Sequence, residues 1–274
     1  MSKLITKSFI ERELGLTQAE FATLCDGAPR CYKYEAHPKA NGEHRIISKP
    51  YSRIKIHQKK LNKALSELPI EAGICGGPGT TIMAAMKPHC KNPLLLTIDL
   101  KNFFPSIDQR RVNDLFAQIL DDSSYASSFT KLCTTRRAMP QGAPTSATIA
   151  RLIIEPAFVD LKKALIDMHP SCEVTAWVDD IMISGPLGIR RAKKTIGKVF
   201  ERHGFTINHD KTKVMFSAQD RTNLGITLKD ILEPSAENLA KYEKCLKETS
   251  DKEESIRGYI NFFKDIAKAN QVCA

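Results

Sequence analysis

Three aspartates have the type and spacing to do chemistry together. Asp179 and Asp180 stand side by side between two strand-like apolar runs, Val174-Thr175-Ala176-Trp177-Val178 and Ile181-Met182-Ile183-Ser184. Asp99 closes a third run, Leu94-Leu95-Leu96-Thr97-Ile98. Carboxylates grouped at strand ends repel one another and lose hydration unless a cation holds them. The arrangement suits a divalent-metal site for phosphoryl transfer, with Asp99 and Asp179 as the main catalytic candidates and Asp180 tuning the field. Magnesium takes oxygen ligands and keeps water and substrate phosphate in its shell. Two carboxylates and a backbone carbonyl, that of Leu100, would suffice. Two such ions can activate an attacking 3′-hydroxyl and stabilise a leaving pyrophosphate. The plain alternative is a polar turn, for which Asp-Asp is well suited.

The rest of the composition narrows the setting. The chain has 274 residues, enough for one large domain or two modest ones. Its 41 basic and 31 acidic side chains leave a formal charge of +10, which fits a nucleic-acid partner. The eight cysteines lack the paired spacing of a zinc site, so reduced thiols are expected. No apolar run reaches the ~20 residues that span a bilayer, and no signal peptide is read. The expectation is a cytoplasmic protein with no membrane partner.

Elements that must position the acids follow from periodicity and turn chemistry. Thr17-Gln18-Ala19-Glu20 before Phe21 predicts a capping box opening a short helix. Tyr32 and Tyr34 alternate toward a strand, Ala40-Asn41-Gly42-Glu43 predicts a turn, and His44-Arg45-Ile46-Ile47 a second strand. Ile54, Gln58, Leu61 and Leu65 recur at helical spacing among lysines. Gly73 to Gly79 predicts a loop, without the Gly-Lys-Ser/Thr of an ATPase phosphate loop. Val112, Leu115, Phe116 and Ile119 mark another helix. Met139 to Ser146 predicts a rigid turn feeding a long helix through Ile149, Ile153 and Ala157, kinked at Pro156. After the Asp179-Asp180 hairpin, Ile189 to Phe200 predicts a covering helix. Phe205 to Asn208 and Val214 to Ser217 read as short strands around a basic turn. From Ser235 the chain turns helical, in two segments split near Thr249-Ser250. The order suits an α+β fold with helices on a mostly antiparallel sheet.

At these residues the chain resembles a bacterial reverse transcriptase. Leu96-Thr97-Ile98-Asp99-Leu100-Lys101-Asn102-Phe103-Phe104-Pro105-Ser106-Ile107 is similar to the first catalytic palm motif. Met139-Pro140-Gln141-Gly142-Ala143-Pro144-Thr145-Ser146 resembles the motif that positions template and nucleotide. Trp177-Val178-Asp179-Asp180 stands where the family has Tyr-Ala-Asp-Asp. Phe205-Thr206-Ile207-Asn208 with Lys211-Thr212-Lys213 resembles the next motif, and Leu224-Gly225 the primer-grip region. The resemblance runs from about Tyr32 to Phe263. It implies a right-hand polymerase fold, with fingers and an antiparallel palm sheet and a short helical thumb. The divisions it suggests are 1–98 for an N-terminal extension, fingers and first palm strand, 99–222 for the palm with inserted fingers helices, and 223–274 for the thumb.

The resemblance also implies roles, residue by residue. Asp99, Asp179 and Asp180 would be catalytic and hold two Mg2+ ions, with Mn2+ as the alternative. Arg45 would contact the triphosphate through its guanidinium fork. Phe104 would wall off the 2′-hydroxyl, leaving Phe103 to the core. Gln141 would support nucleotide or template, and Gly142 would permit close approach. Lys211, with Lys213 as its rival, would serve the leaving pyrophosphate. Trp177 and Val178 depart from the usual tyrosine and alanine without removing a metal ligand.

The short thumb resembles that of retron enzymes, or of relatives in bacterial phage defence, rather than group II intron proteins. Ala84-Ala85-Met86-Lys87-Pro88-His89 resembles the retron insert but lacks its asparagine, and Asn223-Leu224-Gly225-Ile226 departs from Val-Thr-Gly. Ile256, Ile260 and Phe263 share one thumb-helix face, and Arg257, Lys264 and Lys268 lie around another. The implied partners are a structured noncoding RNA as template and primer, an RNA–DNA hybrid and deoxynucleoside triphosphates. A toxin or effector protein and a homo-oligomer remain open. Rival readings are a non-retron defence enzyme with protein-primed or template-independent DNA synthesis, an RNA-templated RNA polymerase, and a catalytically silent RNA-binding scaffold. The three retained aspartates count against the scaffold.

Overall fold

The structure is a computed structural model that describes residues 6–38, 42–77, 79–218, 220–247 and 253–271. The expected turn at Ala40-Asn41 and the break near Thr249-Ser250 lie outside these, as does Pro78. Two units emerge, Met1–Glu71 with Lys101–Pro156, and Ala72–Leu100 with Ala157–Ala274. The helix Ser146–Met168, with Pro156 inside it, supplies residues to both.

In the first unit, the Thr17 hydroxyl accepts from the Glu20 N–H and the Glu20 carboxylate accepts from the Thr17 N–H. This capping box opens the helix Gln18–Gly27. Strands β1 (Tyr32–Pro38) and β2 (His44–Pro50) pair antiparallel, Tyr34 facing Ser48 and His37 facing Arg45. Alternation puts Arg45 and Tyr34 on opposite faces of the hairpin. The helix Ser52–Ser66 buries Ile54, Gln58, Leu61 and Leu65 and exposes its lysines. The core is aromatic. Phe9, Phe21 and Phe116 surround Phe129 at ring-centroid distances of 6.2, 4.9 and 5.5 Å. Burying each such ring contributes roughly 1.5–3 kcal/mol.

A two-residue turn leads from the helix Ala126–Cys133 toward Met139. Thr135 and Ala138 exchange both backbone hydrogen bonds, each 3.0 Å long. Between them Arg136 and Arg137 have φ of 50° and 62°. Two left-handed central residues make this a type I′ turn, which favours Asn-Gly. Side chains bearing a Cβ cost about 1–2 kcal/mol each in that conformation.

The second unit contains β3 (Ile74–Cys75), β4 (Leu94–Leu100), β5 (Glu173–Trp177), β6 (Asp180–Gly185), β7 (Ile207–Phe216), β8 (Arg221–Asn223), β9 (Ile226–Leu228) and β10 (Leu232–Pro234). Five form one sheet in the order β3-β5-β6-β4-β7, antiparallel except for the β3–β5 pair. The helix Lys193–Arg202 buries Ile196, Val199 and Phe200, as its periodicity requires. The remaining strands form a separate three-stranded sheet.

Three features differ from the sequence reading. The loop from Gly73 holds β3. The two short strands around a basic turn are one strand, β7, paired to β4 through an irregularity: Thr97 faces Lys213, whereas Asp99 faces Asn208. The basic residues sit in that bulge, so local polarity mimicked a turn. In the helix Glu253–Gln271, the face of Ile256, Ile260 and Phe263 is not the buried one: Ile260 is 37% exposed. Ile266 is buried there instead, with Phe262 and Ala269 packed on the cluster around Leu228 and Leu232. Asn270 fixes this orientation by bonding the Leu232 N–H and carbonyl at 3.0 and 2.9 Å.

Candidate active site

Leu94 to Ile98 of β4 are all buried, so the strand reads as an unbroken apolar run rather than an alternating one. Asp99 continues it. On one side Asp99 faces Asp180 of β6, and on the other Asn208 of β7. Asp180 in turn faces Trp177 of β5, which faces Cys75 of β3. Directly opposed residues share a face of the sheet. Cys75, Trp177, Asp180, Asp99 and Asn208 therefore form a single row, one residue per strand, about 4.8 Å apart.

Asp179 lies beside this row. Val178 and Asp179 form the tight turn between β5 and β6, closed by the Trp177–Asp180 pair. Val178 has φ of 58°, a conformation that a β-branched residue adopts only under strain. Gly76, with φ of 91°, packs against it. A Cβ on Gly76 would stand 2.7 Å from Val178 Cγ2.

Asp99 is held by two neighbours. Asn208 Nδ2 donates to Asp99 Oδ2 at 3.0 Å, and Lys211 Nζ donates to Oδ1 at 3.3 Å. Asp99 is only 17% exposed, whereas Lys211 is 62% exposed. Lys213 faces Thr97 instead, two residues further from the acids. Burial, then the charges of Asp179 and Asp99, push the Asp180 carboxyl up to about 7, against the pull of Lys211. Leu100 is the buried last residue of β4.

These donors fit a hard divalent cation. They are oxygens, and burial together with the charges of Asp179 and Asp99 leaves Asp180 holding a proton near neutrality. Among the described residues, no three acidic, histidine or cysteine side chains gather closely enough to hold an ion unaided. Backbone carbonyl, water and substrate phosphate would complete the shell.

The remaining expected residues belong to the first unit. Phe103 is buried, and Phe104 is half-buried, edge-on to it at 5.5 Å. Arg45 is exposed on β2. The Gln141 carbonyl accepts from the Ser48 N–H at 2.7 Å. Gly142 has φ of 117°, and a Cβ there would approach Ile47 Cγ2 to 3.0 Å. The close approach that Gly142 permits is thus to β2.

Sequence reasoning missed two features. Asn208 was read as part of a motif, not as the partner of Asp99; its place at the start of β7 was the available signal. His89, the last residue of the insert-like stretch, lies in a buried relay. Thr175 Oγ1 donates to the Ala85 carbonyl at 2.7 Å and so accepts from His89 Nε2 at 2.8 Å. His89 Nδ1 then accepts from Ser184 Oγ at 2.7 Å, and Ser184 Oγ accepts from Asn92 Nδ2 at 2.7 Å. Burial lowers the His89 pKa to about 4, which keeps the ring neutral and Nδ1 an acceptor.

Comparison with known proteins bears on this geometry. Residues 37–228 match the family Reverse transcriptase (RNA-dependent DNA polymerase). The retron Mx65 reverse transcriptase of Myxococcus xanthus is 26% identical over 247 residues, covering 82% of this chain and 57% of that protein. The retron Ec86 reverse transcriptase of Escherichia coli is 25% identical over 189 residues, covering 66% and 58%. The chain therefore spans less than two thirds of the length of either relative. The solved structure of telomerase from Candida tropicalis, in complex with a fragment of telomeric RNA, has a TM-score of 0.55. It is 12% identical, and the match covers 86% of this chain and 52% of that one. At that identity it speaks for the fold alone, an α+β architecture like that of reverse transcriptases and telomerase. With the family match spanning most of its length, the chain belongs to the reverse transcriptase family, and its distant relatives are retron enzymes.

Proposed function

We propose that the protein is an RNA-directed DNA polymerase that copies a dedicated structured RNA. The observation that carries this reading is the Asn208–Asp99–Asp180 row with Asp179 on the adjoining turn. In this reading the five-stranded sheet is the palm, the β1–β2 hairpin belongs to the fingers, and the C-terminal helices form the thumb. Asp99, Asp179 and the Leu100 carbonyl would hold divalent cations, with Asp180 alongside. When bound, the ions supply Lewis-acid activation of the attacking hydroxyl and neutralise charge on the leaving group.

The chain's own groups do the rest. Asn208 orients Asp99 by occupying one of its oxygens. Lys211 keeps its ammonium at the solvent-facing edge of the acids, where it can give a proton to the departing pyrophosphate. Phe104, braced by Phe103, forms the wall against the 2′-hydroxyl. Arg45 pairs with triphosphate oxygens, while Gln141 and Gly142 lock the nucleotide-side segment onto β2. In this reading the template is a structured noncoding RNA, and its copying serves anti-phage defence.

The test is extension on the cognate RNA with deoxynucleotides and magnesium, followed on a gel. Wild type should make DNA, and Asp179→Asn should make none while still folding and binding RNA, because only transition-state charge stabilisation is lost. An intact wild-type complex that makes no product sinks the reading.

A further inference from the structure

The type I′ turn at Arg136-Arg137 carries strain that its ordinary sequence, Asn-Gly, would avoid. Strained backbone persists where the surrounding structure holds it, and it clusters at functional sites and ligand clamps. Both arginines are exposed, and neither guanidinium forms an ion pair among the described residues. The Arg136 guanidinium lies 3.7 Å above the centre of the Tyr34 ring. Tyr34 is itself fixed: its hydroxyl bonds Thr135 Oγ1 at 2.6 Å, and Thr135 Oγ1 donates to the Pro29 carbonyl at 2.7 Å. The turn, the β1–β2 hairpin and the chain preceding them are thereby tied together.

The register fixes which face this is. Tyr34 pairs with Ser48 and Ala36 with Ile46, so Tyr34 and Ile46 share the face opposite Arg45. Ile46 is 44% exposed on it. The surface thus offers a flat guanidinium–tyrosine stack, an exposed aliphatic side chain and a second free guanidinium. A simple structural stack needs one arginine, not two adjacent strained ones.

We propose that Arg136, Arg137 and Tyr34 form a platform for a single-stranded stretch of RNA, separate from the Arg45 face. The stacked Arg136 plane takes an unpaired base, and Arg137 takes the adjoining phosphate. Stacking on aromatic and guanidinium planes needs unpaired bases, which excludes duplex as the preferred occupant. The inference rests on reading the chain as an enzyme that handles an RNA template.

The turn itself supplies the test. Replacing the pair together, Arg136→Asn with Arg137→Gly, installs the sequence that the turn prefers. The melting temperature should rise by about 3–6 °C as strain is relieved. Affinity for a fluorescent single-stranded 12-nucleotide RNA should fall about tenfold at low salt, and the salt slope should shrink by about 0.7 for the one phosphate contact that Arg137 makes. Arg136→Lys, which keeps the charge but not the plane, should lose the preference for single strand over duplex while keeping the salt slope. A raised melting temperature with unchanged RNA affinity overturns the platform, as does an equal loss on duplex RNA. Primer extension by wild type is scored separately: its absence would refute the polymerase reading while leaving these binding results to stand or fall alone.

Discussion

Gly76 lies against Val178, the residue that opens the turn carrying Asp179. Its positive φ and the 2.7 Å approach to Val178 Cγ2 leave no room for a methyl group. Gly76→Ala should therefore destabilise the protein by about 1–3 kcal/mol and displace the turn. Extension should fall further than RNA binding does. Adding Val178→Ala removes the clashing methyl and should restore part of the loss. Thermal melts and single-nucleotide incorporation on both variants decide it, and no rescue by the double variant would mean that the contact is not the cause.

Lys211, not Lys213, is the lysine that touches the acids. Lys211→Ala should lower the maximal incorporation rate roughly 10²-fold, in the range of a lost general acid. Lys213→Ala should change it little. Pre-steady-state incorporation by the two variants separates them. Equal effects from both lysines would reduce their role to general surface charge.

Phe104 stands half-buried beside the buried Phe103. Phe104→Ala should relax discrimination against ribonucleotides partially rather than reverse it, since an apolar wall rejects an added hydroxyl only modestly. The ratio of kcat/KM for matched deoxy- and ribonucleotides measures this. An unchanged ratio would assign Phe104 to the core and the gate to another side chain.

His89 makes folding pH-dependent. Burial, helped by the Arg221 charge, lowers its pKa from 6.5 to about 4 in the folded protein, so the native state disfavours the proton that the unfolded chain accepts. Its contribution is complete above pH 6.5 and is lost as the pH falls toward 4. The linked loss amounts to about 3 kcal/mol. Urea midpoints between pH 7 and 4.5 should drop more steeply for wild type than for His89→Gln. Parallel profiles would show that the ring does not control this range.

The acids of the candidate site and the amphipathic helices were legible in the sequence. Asp99 and the Asp179-Asp180 pair stood out because acids bordering long apolar runs violate the usual burial pattern. The helix Ser52–Ser66 was legible because amphipathic spacing is a local property. What stayed hidden depends on pairing between distant segments. β3 is two residues long and exists only because β5 lies beside it. The bulge in β7 is invisible without knowing where β4 ends. The buried face of Glu253–Gln271 is chosen by Asn270 reaching Leu232, and a rotation of one residue hides it from periodicity alone.

The bulge of β7 also guards against self-association. A sheet with an inner strand as apolar as β4 would, with straight borders, template the addition of strands from neighbouring molecules. Here one border, β3, is only two residues long, and the other, β7, breaks its register beside the lysines Lys211 and Lys213. Neither offers the long, flat, uncharged ladder that growth requires. The same irregularity that brings Lys211 to Asp99 also keeps the sheet finite, so straightening β7 would endanger solubility as well as catalysis.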